Sequence, residues 1–427
     1  MTTTPTGKRG SADSRTTHFF IIAYTPYGFM HHRSQRIADR LCAMGFPVTY
    51  VEFTYGFRAF LAGENSHFLR ELLRSIGLHL RACFPVRGVR SLRSNVRSHA
   101  AGTVRVVSLP LVIPTNRFNS SILERMNSRV YRLVLDRTVL GSAGSGMRTV
   151  AIIDHPLWGC VLRRGDFDSL FYDCIDDISL YARSASLERF GGYEQRLMNL
   201  SDGAFVTAQK LEDHLRSLNL GKPIIRIPNG VDVEWFRRRS GEEGCPKDLE
   251  QLPRPRVGYI GTIADWIDFS LIERTARAFP EVSFVFIGPL DSSRRHRDLA
   301  SRPNIRWLGR KPYESVPLYV QGCDVCWIPF AAGRITENTN PIKLFEYFSL
   351  GKPVVATGLP EILPFAAGGV VYAGTNAQEI CEALRAALAE QSAELPARRL
   401  SVARDHSWDG LVQKIVDVTT STEIRRA

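Results

Sequence analysis

Residues 338–357, NTNPIKLFEYFSLGKPVVAT, predict a short helix, a tight turn and a buried strand in direct succession. Asn340 suits the capping position of this helix and Pro341 suits its first turn. Apolar residues follow at helical spacing, and Gly-Lys-Pro separates them from the apolar run VVAT. A helix that leads straight into a buried strand is typical of a parallel α/β sheet.

Similar strands surround this segment in the second half of the chain. They are RVGYIG, SFVFIG, NIRWLG, CDVCWIP and GGVVYA, with helical patterns in most of the gaps. This alternation predicts a doubly wound α/β domain over 256–400. The polar stretch before it, 237–255, predicts a linker, and 401–427 predicts a C-terminal helix that crosses back to the first domain.

The first half of the chain repeats the alternation. A βαβ pattern begins at His18, and the apolar runs TVRVVSLP, TVAIID, SLFYDC, GAFVTA and PIIRIP follow it. We therefore expect an α/β architecture with a first domain over 18–236, preceded by a disordered tail over 1–17. A chain of 427 residues with 44% hydrophobic content is long enough for these two domains.

The composition excludes several classes of protein. No apolar run approaches the roughly 18 residues of a membrane span, and no secretory signal opens the chain, so a cytoplasmic location is expected. The eight cysteines are scattered, and the lone CxxC lies in an apolar run without a second pair at zinc spacing, so we expect them to be reduced and mostly in the core. The dinucleotide pattern G-x-G-x-x-G does not follow the first strand of either half.

Positive charge is concentrated in one segment. Nine arginines stand against two acids between Arg58 and Arg105, within a net charge of +12. Residues 66–84 alternate apolar and arginine positions, which fits an interfacial helix on an anionic membrane or an ordinary helix packed on the first sheet. Nucleic acid is a weaker candidate partner, because no RNA-binding motif accompanies the charge.

Candidate site residues lie where the predicted strands end. Gly261, Gly288 and Gly309 each end a strand, which lets a ligand approach the backbone at the carboxyl edge of the sheet. Lys343 and Glu346 share one face of the predicted helix. The start of that helix suits a phosphate and the carboxylate suits a pair of hydroxyls, although a simple surface ion pair would give the same spacing.

The first half offers a second set. Asp154 and His155 follow one predicted strand, and Asp176 and Asp177 follow the next, so both pairs are expected on the presumed cleft. The loop YGFMHHRSQR places Gly28, His31 and Arg33 before the first helix, where an acceptor or a phosphate could bind. Helix capping, structural histidines and a solvated loop are the alternatives.

The segment NTNPIKLFEYFSLGKPVVAT resembles the donor-binding segment of GT-B glycosyltransferases, in particular the family-four-like retaining enzymes and those of teichuronic-acid type. PNGVDVEWF, GYIGTIADWIDFSLI, YDCIDD and HSWDGLVQKI carry further resemblance, which covers about 18–417. It implies two Rossmann-like domains facing a cleft, with Glu346 on the nucleotide ribose and Lys343 on the diphosphate. The donor-binding residues it implies are Gly261, Gly288, Arg310, Lys311, Arg334, Asn338, Asn340, Lys343, Leu344 and Glu346.

Two departures from the family pattern affect these assignments. Asn338 stands where many relatives carry a glutamate, with Glu337 beside it, and TIADWIDF has no cation after its glycine. Phosphate neutralisation would therefore fall to Lys343, Arg334 or Lys311. The resemblance also implies a first-domain histidine near the donor sugar, so the candidate catalytic residues are His155, Asp176 and Glu337.

The function implied is transfer of a sugar from a nucleotide-sugar to a glycan or lipid-linked acceptor in cell-surface polysaccharide synthesis, with retention of configuration. No cofactor or metal is expected, because the helix dipole and cations can stabilise the leaving diphosphate. A nucleotide-sugar epimerase on the same fold and a non-catalytic nucleotide-sugar or glycan-binding protein are the alternatives.

Overall fold

The computed structural model describes residues 17–28, 32–53, 95–99, 102–110, 121–177, 184–218, 220–242, 244–290, 299 and 301–421. His31, the interfacial helix predicted over 66–84 and nearly all of the N-terminal tail lie outside the described residues. Residues 422–427, at the C-terminal end of the predicted segment 401–427, also lie outside the described residues. No helix in the described part of the chain combines the length and apolar character that crossing a bilayer requires.

The first domain is built on an eight-stranded sheet with the order β3-β4-β2-β1-β5-β6-β7-β8. All of its neighbouring strands are parallel except the edge pair β3 and β4, which is antiparallel. The strands are β1 (Thr17–Ala23), β2 (Val48–Glu52), β3 (Asn95–His99), β4 (Gly102–Ser108), β5 (Arg148–Ile153), β6 (Ser169–Cys174), β7 (Gly203–Val206) and β8 (Ile224–Arg226).

Helices cover both faces of this sheet, because successive side chains of a strand point to opposite sides. Phe19 and Ile21 of β1 pack with α1, whereas Phe20 and Ile22 pack with residues of α2, α3 and α4. These helices are α1 (Arg33–Ala43), α2 (Ser121–Val134), α3 (Ser184–Leu200) and α4 (Gln209–Ser217). A π-helical turn, Leu135–Val139, continues α2.

The second domain has a six-stranded sheet with the order β11-β10-β9-β12-β13-β14, in which every pairing is parallel. Its strands are β9 (Arg256–Ile260), β10 (Ser283–Ile287), β11 (Ile305–Gly309), β12 (Val325–Ile328), β13 (Val354–Thr357) and β14 (Tyr372–Gly374). Its helices are α5 (Val233–Glu242), α6 (Lys247–Glu250), α7 (Phe269–Ala278), α8 (Val316–Gly322), α9 (Arg334–Glu337), α10 (Ile342–Phe348), α11 (Leu363–Ala367), α12 (Ala377–Leu388) and α13 (Glu394–Asp405). The last described helix, α14 (Trp408–Thr420), packs on the first domain instead.

The segment predicted as a linker, 237–255, is largely helical and belongs to the second domain. It contains the end of α5 and all of α6. Phe236 and Leu249 are fully buried in the core of the second domain. The second domain therefore starts before residue 237, because Phe236, just before this charged segment, and Leu249, within it, both reach its core.

The last helix lies on the first domain. Trp408, Leu411 and Ile415 of α14 are buried in the same core as α1 and β1. The preceding helix, α13, stays with the second domain, where the buried guanidinium of Arg399 bonds Glu390 and the backbone of Val370. The chain thus crosses from the second domain to the first between α13 and α14.

Candidate active site

Three glycines form one edge of the second sheet. The backbone N–H of Gly261 donates to Ile287 (2.8 Å) and that of Gly288 donates to Gly309 (2.9 Å), so the carboxyl ends of β9, β10 and β11 lie side by side. A Cβ added to Gly288 would lie 1.9 Å from the carbonyl oxygen of Gly261. This close backbone approach explains why a glycine ends β10.

Lys343 and Glu346 lie next to this glycine edge. A Cβ added to Gly261 would lie 3.1 Å from Cε of Lys343, so the lysine side chain crosses the end of β9. Nζ of Lys343 is 2.8 Å from Oε2 of Glu346, and the hydroxyl of Tyr313 donates to Oε1 at 3.3 Å. Glu346 is only 3% exposed. The two side chains, expected to face separate parts of a ligand, form an ion pair with each other.

Asn340 does not cap helix α10. The helix begins at Ile342 and Pro341 occupies the position before it. The side chain of Asn340 is instead buried between the domains, where its Oδ1 accepts from the N–H of Asn229 (3.1 Å) and its Nδ2 donates to Glu361 (3.1 Å). The predicted cap was wrong because a nonlocal partner binds the amide. Leu344 is fully buried in the second core.

The other predicted phosphate cations differ in their surroundings. Nζ of Lys311 is 2.6 Å from the carboxylate of Asp248, and this hydrogen bond raises the pKa of the lysine. Arg310 and Arg334 are exposed on the surface. Lys343 is therefore the predicted cation that already lies against the glycine edge.

His155 is a buried, neutral histidine at the carboxyl end of β5. Its Nδ1 accepts a hydrogen bond from the N–H of Leu157 (3.1 Å), which leaves the ring proton on Nε2. Burial lowers the pKa of His155 to about 4. The imidazole can thus donate a hydrogen bond at neutral pH but does not carry charge there.

Asp154 lies between β5 and two neighbouring elements. Its carboxylate accepts from the N–H of Tyr24 (2.8 Å), after β1, and from the hydroxyl of Ser34 (2.6 Å) in α1. Burial, and to a smaller extent the nearby carboxylate of Asp173, raise the pKa of Asp154 to about 7. Asp154 therefore fixes the start of α1 and the loop after β1 to the end of β5.

Asp176 and Asp177 follow β6, and Asp177 contacts the second domain. Burial, and then the charge of Asp177, raise the pKa of Asp176 to about 6. The carboxylate of Asp177 accepts from Nδ2 of Asn338 at 3.2 Å. Beside this bond, Glu337 forms an ion pair with Lys210 at the start of α4. Two of the predicted site residues, Glu337 and Asn338, thus contact the first domain across the cleft.

Arg33 takes a different role from the one predicted. Its guanidinium is buried against the carboxylate of Asp173, with Nε to Oδ2 at 2.9 Å, and it also donates to the carbonyl of Pro228 (2.8 Å). A buried, fully paired arginine does not reach an acceptor, so this prediction was wrong. Gly28 is exposed, with a φ of 87° and its N–H bonded to Gln35 (2.9 Å).

Sequence reasoning missed the residues that join the two halves of the site. Tyr313 holds Glu346 and stacks on Trp235, with ring centroids 5.1 Å apart. Cζ of Arg36, in the first domain, also lies over the Tyr313 ring, 5.5 Å from its centroid. Local sequence carries no signal for these contacts. A search for aromatic residues near the predicted strand ends would have selected Tyr313 and Tyr24.

Metal-binding chemistry finds no support in the described ranges. Among those residues, no three histidine, cysteine, aspartate or glutamate side chains gather closely enough to hold a metal ion. The expectation that the chain needs neither metal nor cofactor remains a prediction.

Comparison with known proteins finds a family match for the second domain and a relative for a larger part of the chain. Residues 254–390 match the family described as glycosyl transferases group 1. The protein named as the teichuronic acid biosynthesis glycosyltransferase TuaH of Bacillus subtilis (strain 168) is 25% identical over 269 residues, which cover 59% of this chain and 67% of TuaH.

Solved structures agree in fold along nearly the whole chain. Sucrose-phosphate synthase from Thermosynechococcus elongatus superposes with a TM-score of 0.64 at 15% identity, over 94% of this chain and 98% of that one. HepE from Anabaena, solved with UDP and glucose, gives 0.59 at 13% identity, over 95% of this chain and 100% of that one. The two parallel α/β domains thus form a GT-B fold, residues 254–390 are a glycosyl transferases group 1 domain, and the chain is a glycosyltransferase.

Proposed function

We propose that this glycosyltransferase moves a sugar from a uridine-diphosphate sugar to a glycan or lipid-linked acceptor, with retention of configuration, in the synthesis of a cell-surface polysaccharide. The observation that carries the donor half is the Lys343–Glu346 pair beside the glycine edge. UDP and glucose in HepE and the name of TuaH support the choice of donor and pathway class.

The donor would bind where backbone groups and charge coincide. The carboxylate of Glu346 would accept hydrogen bonds from the two ribose hydroxyls. It is buried and bonded to Tyr313, so it is fixed in place before the ligand binds. The ammonium of Lys343 would move from Glu346 to the diphosphate, which would lie over Gly261 and Gly288. Their lack of side chains lets the phosphates approach the sheet edge.

The first domain would supply the groups around the sugar. Neutral His155, with its proton on Nε2, would donate a hydrogen bond to a sugar hydroxyl or to the departing phosphate oxygen. Asp176 is our candidate for accepting the proton of the acceptor hydroxyl, since a pKa near 6 leaves it mostly ionised at pH 7 and still basic. Glu337 would position α9 through Lys210 and not take part in bond breaking.

The comparisons favour transfer over both alternatives. The matched family and TuaH are both described as glycosyltransferases. Neither an epimerase nor a non-catalytic binding protein would need an acceptor site in the first domain. An assay can separate the three. An epimerase converts its nucleotide-sugar without any acceptor, and a binder converts nothing.

A peripheral location on the inner face of the membrane is part of this proposal. Its support is the arginine excess between Arg58 and Arg105 and the need to meet a lipid-linked acceptor. Sedimentation with vesicles of phosphatidylglycerol and phosphatidylcholine tests it. Equal sedimentation after Arg70, Arg74 and Arg81 are changed to Ser would contradict the role of these side chains.

The central experiment is a calorimetric titration with UDP, followed by transfer of radiolabel from several UDP-sugars to isolated membrane lipids. We expect UDP to bind wild type and Glu346→Ala to bind it at least tenfold more weakly, because charge-assisted bonds to the ribose are worth about 1.5–3 kcal/mol. Equal affinity in the folded variant would refute the assignment of Glu346. Glu382→Gln, an exposed carboxylate on α12, is the matched control.

A further inference from the structure

Tyr24 is an exposed aromatic residue at the carboxyl end of β1, in the first domain. It is 58% exposed, whereas the other aromatic residues around it are buried or partly buried. One face of its ring stacks on the imidazole of His155, with centroids 4.7 Å apart and an interplanar angle of 18°. Since that face is covered, the exposed area belongs largely to the opposite face and the ring edge.

The ring is held by a rigid support. Its backbone N–H donates to the carboxylate of Asp154 at 2.8 Å, which ties the residue to the end of β5. Phe53 packs beside it, with centroids 5.5 Å apart, and Trp158 lies behind Phe53 at 5.8 Å. An aromatic ring fixed in this way loses little conformational entropy when a ligand stacks on it.

The surroundings of Tyr24 combine an aromatic face with carboxylates. Strands β1, β5 and β6 are neighbours, so the strand ends that carry Tyr24, Asp154 and Asp176 lie within about 10 Å of one another. The face of an aromatic ring carries partial negative charge, which attracts the weakly positive C–H groups on the apolar face of a pyranose. A carboxylate on a nearby strand end, such as that of Asp176, could accept hydrogen bonds from the hydroxyls of such a sugar.

We infer that Tyr24 is the stacking platform for a pyranose ring of the acceptor, which makes the acceptor a glycan or glycolipid whose sugar lies on the first-domain wall of the cleft. The inference rests on the proposed function and extends it to the acceptor subsite. A nucleobase is the less suitable occupant, because the ribose carboxylate Glu346 belongs to the other domain. His155 would then support the acceptor platform as well as contact the donor sugar.

The test uses the full chain with saturating UDP and measures binding of methyl glycosides of glucose, galactose and N-acetylglucosamine by saturation-transfer NMR. Wild type and Tyr24→Phe should bind at least one glycoside, with the strongest transfer to its ring C–H protons. Tyr24→Ala and Tyr24→Leu should bind it about threefold to tenfold more weakly, the range expected for one aromatic contact. Ile122→Ala, which changes another exposed apolar side chain, should bind normally.

Several results would overturn the platform. They are equal glycoside binding by Tyr24→Ala, wild-type binding by Tyr24→Leu, and absence of glycoside binding in a wild-type protein that binds UDP. Loss of UDP affinity in Tyr24→Ala with glycoside binding retained would assign the ring to the base and also overturn it. A wild-type protein that binds glycosides but no UDP would instead contradict the proposed donor while leaving the platform supported.

Discussion

The side-chain amide of Asn338 donates to the carboxylate of Asp177 across the cleft, with 3.2 Å between Nδ2 and Oδ2. The resemblance to GT-B glycosyltransferases leads us to expect an acid at position 338, and here a carboxylate comes from the facing domain instead. Changing Asn338 to Glu would set two carboxylates against each other. We expect a loss of about 1–2 kcal/mol in the free energy of unfolding, measured with urea.

A double-mutant cycle gives this prediction its control. Asp177→Asn combined with Asn338→Glu restores a pair of one charged and one neutral side chain, so most of the lost stability should return. If the two changes are simply additive, the contact across the cleft contributes nothing measurable. Measuring the UDP affinity of the same set of variants shows whether the contact also affects the donor site.

Removing the ammonium of Lys343 should affect stability and donor binding together. Among the partners that the described residues give the buried carboxylate of Glu346, Lys343→Met leaves the Tyr313 hydrogen bond at 3.3 Å. Because the lysine is partly exposed, we expect a loss of about 1–3 kcal/mol, less than for a fully buried pair. UDP affinity by calorimetry should fall at least tenfold. A variant that binds UDP normally would show that another cation neutralises the diphosphate.

Gly288 should not accept a side chain. An alanine Cβ would lie 1.9 Å from the carbonyl oxygen of Gly261, and neither backbone can yield without breaking the sheet edge. Gly288→Ala should therefore cost about 3 kcal/mol or more of unfolding free energy, or prevent folding. Gly141→Ala is the control, since its added Cβ meets nothing within 4 Å and should change stability by less than about 0.5 kcal/mol.

The fold was predictable from sequence because its signals are local. Apolar runs such as TVAIID and SFVFIG fall on β5 and β10, and the glycines after the strands of the second half fall on one edge. The edge strand β3 was missed, since NVRSH has neither an apolar run nor clean alternation. Segment 237–255 was misjudged because its one fully buried apolar residue, Leu249, stands among many charges.

The site was predictable only in part, because its contacts join residues that are far apart in sequence. Lys343 and Glu346 are three positions apart on one helix, so their common face followed from helical spacing. The side chain of Asn340 bonds Asn229, which is 111 positions away in the sequence. Arg33 bonds Asp173 at a separation of 140 positions. No local pattern reports such a partner, so a capping asparagine and an exposed loop arginine were the natural expectations.

The buried pair of Arg33 and Asp173 should be a major source of stability in the first domain. Arg33 joins α1 to β6 and to the carbonyl of Pro228, and its guanidinium lies 5.9 Å from the ring of Trp408. Arg33→Met leaves a buried carboxylate unpaired and should cost about 3–5 kcal/mol. Arg33→Met with Asp173→Leu should recover part of this loss in urea unfolding. Failure of the double variant to recover any would locate the effect in the Pro228 bond.

The dependence of the free energy of unfolding on pH should reflect the protonation of Asp154. Its pKa is about 7 in the folded chain, against 3.8 for the ordinary group, because burial disfavours the charged form. The folded state therefore holds a proton that the unfolded state has released between about pH 4 and pH 7. This contribution to stability is complete below pH 4 and is lost as pH rises through 7.

His155 has the opposite effect on stability, because burial lowers its pKa from 6.5 to about 4. Its contribution to the free energy of unfolding is present above pH 6.5 and is lost as pH falls toward 4. The contributions of Asp154 and His155 to the pH dependence of stability partly cancel in wild type. The difference in unfolding free energy between wild type and a variant of Asp154 separates them. Relative to Asp154→Asn, wild type should lose roughly 2–4 kcal/mol of unfolding free energy between pH 4 and pH 7.5, measured by urea unfolding. A difference between the two proteins that does not vary with pH would mean that Asp154 stays ionised in the folded chain, with Tyr24 and Ser34 stabilising its charge.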